Sequence, residues 1–87
     1  MRCYTDDFAL VRYMPDGSRD SSFGRNGLIV TPFSGDVEVD ALAIDARGRI
    51  VAVGGGSGYF ALARYTPRGT LDPTFGNGGK VETTFVG

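Results

Sequence analysis

Residues 8–33 read FALVRYMPDGSRDSSFGRNGLIVTPF, and residues 60–85 read FALARYTPRGTLDPTFGNGGKVETTF. The two stretches align without a gap at an offset of 52, and 13 of the 26 positions are identical. Self-similarity at a fixed period of about this length is the signature of solenoids, propellers and arrays, whose units bury their apolar faces against one another. The duplication therefore decides the architecture before any single residue does.

Each copy has the same internal grammar. Phe8-Ala9-Leu10-Val11-Arg12-Tyr13 is apolar at nearly every position and closes in Met14-Pro15-Asp16-Gly17. Such a run before Pro-Asp-Gly predicts a strand entering a tight turn, with proline presetting one φ and glycine accepting a positive one. Apolar residues on both alternations predict a strand covered on both faces. A polar loop follows over residues 18–27, and again over 70–79, each with a phenylalanine before a glycine. Phe23 and Phe75 are expected to plug these loops into the core. Residues 28–33 and 80–85 then read as a second, peripheral strand, and Pro32 confines its strand to an edge or a bulge.

Between the copies, residues 34–39 read as a polar connection. Ala41–Asp45, the turn Ala46-Arg47-Gly48, and Arg49–Val53 read as a compact hairpin. Its small residues alternate with branched ones, as suits sheets that approach closely. Gly54-Gly55-Gly56-Ser57-Gly58 is expected to end that hairpin as a turn; no lysine follows it and no helix starts there, which excludes a phosphate-cradling loop. The repeat thus holds four short strands, two in the duplicated stretch and two in the hairpin. That is how a propeller blade looks in sequence.

Here the chain resembles the delta-60 repeat family of bacterial tandem repeats. The matching residues are Phe8–Ser18, Asp20 and Phe23-Gly24, recurring as Phe60–Asp72 and Phe75–Val81, with Ala41–Ile44 and Gly48–Gly54 similar to the family's second half. The chain holds about one and two-thirds repeats, a first over residues 8–59 and a partial second over 60–87. Arg68 departs from the acidic residue usual before the turn glycine. The resemblance implies a β-propeller-like array in secreted or cell-surface bacterial proteins, with no catalytic residues to carry over.

Composition narrows the chemistry. A net charge of −1 gives no electrostatic case for nucleic acid or an anionic membrane surface. Histidine is absent, which removes the commonest general base and the commonest metal ligand. Cys3 is the one cysteine, so it has no intrachain disulfide partner. Residues 1–7 lack the apolar core of a signal peptide, and no apolar run approaches the ~20 residues of a spanning helix.

The duplicated polar residues are the remaining candidates. Arg12 and Arg64 sit in apolar strands, where an unpaired charge is costly, and Asp20 and Asp72 recur with them; the spacing predicts an Arg–Asp clamp from strand to loop. Asp16-Gly17-Ser18 and Asp20 superficially suggest a calcium loop. The donors are too few and Arg68 replaces Asp16 in the second copy, so Asx-type turn bonds explain them better.

The expectation is thus all-β, with antiparallel four-stranded propeller-type blades, no metal, no cofactor and no enzymatic activity. Its repeat positions are Phe8, Arg12, Tyr13, Pro15, Gly17, Asp20 and Phe23, matched by Phe60, Arg64, Tyr65, Pro67, Gly69, Asp72 and Phe75. A lone blade has two apolar faces and two open edges and needs neighbours, so the chain is expected to self-associate into a closed ring as a structural or interaction module. The alternative is a lectin-like propeller that binds a small molecule or glycan between blades. Tyr4 and Tyr59, the tyrosines expected outside the strands, would be its stacking rings.

Overall fold

The computed structural model describes residues 7–33, 37–56 and 58–84, and its six strands make two antiparallel sheets. β1 (Asp7–Val11) pairs with β2 (Leu28–Pro32). β3 (Glu38–Ile44), β4 (Ile50–Gly56), β5 (Tyr59–Tyr65) and β6 (Lys80–Thr84) lie in chain order across a four-stranded sheet. The all-β, antiparallel reading holds, and Pro32 lies in β2, which pairs on one side only among the described strands.

The middle hairpin is completed by the second copy of the repeat. β4 runs beside β5 from Ile50↔Tyr65 to Gly56↔Tyr59, and β6 closes the outer edge from Tyr59↔Thr84 to Ala63↔Lys80. The first copy supplies only β1 and β2, in a register running from Asp7↔Pro32 to Val11↔Leu28. The chain therefore carries one whole sheet of four strands and the outer half of another.

The turns repeat faithfully. Gly17 N–H donates to Met14 O and Gly69 N–H to Thr66 O, each at 2.9 Å. In the first copy the Asp16 carboxylate accepts the Ser18 amide at 2.9 Å and its hydroxyl at 2.7 Å. Arg68 cannot do this. A 2.8 Å bond between the Thr66 and Thr70 hydroxyls takes its place.

Two local expectations are corrected. Gly54, Gly55 and Gly56 lie within β4 and not in a turn. A Cβ on Gly54 would collide with the carbonyl oxygen of Glu38 on the neighbouring strand, so glycine marks a close backbone approach inside the sheet. The connection read over residues 34–39 is also shorter. Glu38 and Val39 already belong to β3, with a bulge between Val39 and Ala41, and residues 34–36 lie outside the described residues.

The core lies between the sheets. Phe8, Leu10, Phe23 and Phe33 from the first copy pack with Ile50, Ala52, Ala61, Ala63 and Tyr65. The Phe8 and Phe33 rings stand 4.6 Å apart. Ala52, Ala61 and Ala63 are wholly buried, and their small size lets the half-sheet sit close on the whole one.

Candidate functional site: two interaction faces

Both copies build the same clamp. Arg12 Nε donates to Asp20 Oδ2 and Arg64 Nε to Asp72 Oδ2, each at 2.9 Å. The backbone follows suit: Asp20 N–H donates to Arg12 O at 2.9 Å, and Asp72 N–H to Arg64 O at 2.8 Å. The second carboxylate oxygen is taken locally. Asp20 accepts the Ser22 amide and hydroxyl at 3.0 and 2.6 Å, and Asp72 accepts those of Thr74 at the same distances. Each guanidinium also covers its loop phenylalanine, 4.3 Å from the Phe23 ring centre and 4.8 Å from that of Phe75.

These bonds hold both carboxyls below the ordinary carboxylate range. For Asp20 the leading cause is the Ser22 hydroxyl, for Asp72 the Thr74 hydroxyl, with the arginines adding to it against the opposing effect of burial. A clamp of this kind fixes loop to strand. Its charges face each other, leaving little field for a ligand.

The two copies part company in the face they bury. In β1, Phe8 and Leu10 point inward while Ala9 and Val11 are exposed; in β5, Tyr59, Ala61, Ala63 and Tyr65 point inward. Phe8 is 0% exposed and its counterpart Phe60 is 52% exposed. Neither strand is covered on both sides, contrary to the expectation from its apolar pattern. The reason is geometric. Two like units stacked in the same orientation must join the front of one to the back of the other.

This seam is also stitched by polar contacts. The Thr31 and Tyr65 hydroxyls share a buried hydrogen bond of 2.5 Å, and burial pushes the Tyr65 phenol above its usual pKa. Gly24 N–H donates to Arg68 O at 2.7 Å, Arg12 Nη1 to Pro67 O at 3.2 Å, and Lys80 Nζ to Pro32 O at 2.7 Å. Gly69 sits at the tightest point. Its φ is +89°, and a Cβ there would come 2.7 Å from the Gly24 nitrogen.

Sequence reasoning foresaw the clamps and the buried Phe23, but not this seam. A signal existed: Thr31 recurs as Thr83 and Tyr13 as Tyr65, so a hydroxyl pair joining adjacent units could have been sought. Phe75 is only half-buried, unlike Phe23. Tyr59, proposed as a ligand-stacking ring, is the first residue of β5 and is buried. Tyr4 and Cys3 lie outside the described residues.

Among the described residues, two apolar faces are exposed. One is the front of the whole sheet, carrying Phe60, Leu62 and Val53; the other is the back of the half-sheet, carrying Ala9, Val11 and Tyr13. Those are the two kinds of face already joined inside the chain.

Comparison with known proteins returns one family model, described as a domain of unknown function (DUF5122) beta-propeller, which matches residues 4–23 and 48–75. No curated protein and no solved structure matches. The matched segments cover more than half of the chain and include both runs from the phenylalanine that opens each copy to the one that plugs its loop. The chain belongs to the DUF5122 β-propeller family.

Proposed function

We propose that this protein is a non-catalytic assembly module, of the delta-60 type, whose copies stack head to tail into a closed propeller-like ring. The observation that carries the reading is the reversal of buried faces between the two copies, which leaves a matched front and back on every chain. A contact between unlike faces is heterologous. It propagates, and it closes into a ring when the rotation per copy allows.

The intrachain seam serves as the template for the proposed one. Shifting each partner by the repeat of 52 residues places Phe60 and Leu62 of one chain on Ala9 and Val11 of the next. The same shift pairs the Thr83 hydroxyl with that of Tyr13, as Thr31 pairs with Tyr65, and the Gly76 amide with the Asp16 carbonyl, as Gly24 pairs with Arg68. The receiving face keeps Ala9 and Tyr13 where the internal seam has Ala61 and Tyr65, and differs by Val11 in place of Ala63.

Native mass spectrometry and light scattering at micromolar concentration test this. A discrete oligomer that Phe60→Glu dissolves, with the fold intact by circular dichroism, is the expected result. A wild-type chain that stays monomeric overturns the reading.

A further inference from the structure

Among the described residues, the half-sheet has an exposed edge as well as an exposed face. β1 pairs with β2 alone among the described strands, whereas its counterpart β5 has β6 on one side and β4 on the other. The repeat therefore shows what belongs on the empty side. In the whole sheet, Val51 stands opposite Arg64, Ala52 opposite Ala63, Val53 opposite Leu62 and Gly54 opposite Ala61. Shifted by 52 residues, the same strand would lie opposite Arg12, Val11, Leu10 and Ala9.

A second observation lies next to that edge. An apolar groove of about 290 Å³ runs between β1 and β3, lined chiefly by Leu10, Val11, Val39, Leu42, Ile44 and Ile50. Leu42 and Ile44 are 56% and 71% exposed, although they share the sheet face that carries buried Ile50 and Ala52. They are bare because the half-sheet stops at β1 and does not reach over β3. The register puts the incoming Val51 and Val53 on the face of the half-sheet that looks into this groove, alongside Leu10 and Arg12.

We propose that the β1 edge and the adjoining groove form a docking site for a β-hairpin of this repeat's own pattern. The occupant has an inner strand reading as Ile50-Val51-Ala52-Val53-Gly54-Gly55, and it raises the half-sheet to four strands. Main-chain pairing along β1 supplies affinity, and the two valines over Leu42 and Ile44 supply specificity. The site rests on the repeat equivalence also used for the assembly reading, but it occupies an edge and not the stacking faces.

The test uses the whole chain, uniformly ¹⁵N-labelled and methyl-labelled, carrying Phe60→Glu so that stacking is suppressed. A synthetic peptide of residues 37–56 is titrated in. Saturable shifts and exchange protection at the amides of residues 8–11, with methyl shifts at Leu42 and Ile44, are expected. A peptide with Val51→Glu and Val53→Glu should bind about tenfold more weakly or worse, because it places two charges where apolar side chains belong. No response at β1 at millimolar wild-type peptide overturns the proposal. So does equal binding by an unrelated alternating strand, which would reveal generic edge pairing, or a response confined to the groove.

A second variant covers the case in which the free peptide aggregates. Residues 34–59 are duplicated directly ahead of Phe8, and the melting temperature should rise above that of the parent. The rise should vanish when the added hairpin carries the two glutamates; an equal rise in both variants counts against the proposal. Oligomer mass for the chain without Phe60→Glu is recorded separately, so failure of stacking and failure of edge docking give different results.

Discussion

Phe23 and Phe75 hold equivalent places in their repeats, yet they should not be equally important. Phe23 is buried between the sheets, whereas Phe75 is half-buried beneath Arg64 and lies outside the core cluster. Phe23→Ala is expected to cost about 3–5 kcal/mol in urea denaturation, the range for truncating a buried aromatic. Phe75→Ala should cost clearly less, because fewer of its contacts are with the core. The clamps predict an acid dependence as well. Asp16, Asp20 and Asp72 are held low chiefly by the hydroxyls of Ser18, Ser22 and Thr74; burial would raise Asp45, but hydrogen bonds from Arg49 and Arg47 more than offset it. With folded-state values below the ordinary 3.8, these groups favour the fold above that pH, and their stabilisation is lost as pH falls through the depressed values. Thermal melts from pH 6 to pH 2 should show a drop concentrated below about pH 4. Replacing both Asp20 and Asp72 by Asn should lower the plateau and flatten the drop.

At the scale of the strand, the apolar runs over residues 8–13 and 60–65, their Pro-x-Gly turns and the hairpin after residue 40 were all legible, because each is written in local pattern. What was not legible depends on partners. Gly54 and Gly55 look like a turn in sequence, since only the Glu38 carbonyl on β3 and the Tyr59 carbonyl on β5, respectively, show why a side chain is forbidden there. The face each copy buries was hidden for a related reason. Both strands carry apolar residues on both alternations, and only the order of stacking chooses between them. The Thr31–Tyr65 bond across the stack is the sharpest test of that choice. Tyr65→Phe leaves the buried Thr31 hydroxyl without its partner and should cost about 1–3 kcal/mol. Adding Thr31→Val should recover much of the loss, and a double-mutant cycle measures the coupling. If Tyr65→Phe is neutral while Thr31 stays buried, the hydroxyl pair does not hold the seam.

At the scale of the molecule, the described chain is a slab of 46 × 34 × 17 Å. Such a body has a direction, because its front and back differ. Under the proposed stacking, a chain bearing Phe60→Glu has lost its front but keeps Ala9, Val11 and Tyr13 on its back, where a wild-type front would still dock. It should therefore behave as a chain stopper. Mixed with wild-type protein at a substoichiometric ratio, it should shift the mass distribution towards short, open assemblies terminated by one variant each. Two populations that remain separate in the mixture would contradict this. Under the proposed stacking, the asymmetry between Phe8 and Phe60 would give the protein a growing end and a receiving end, and one altered copy would be enough to stop the assembly it joins.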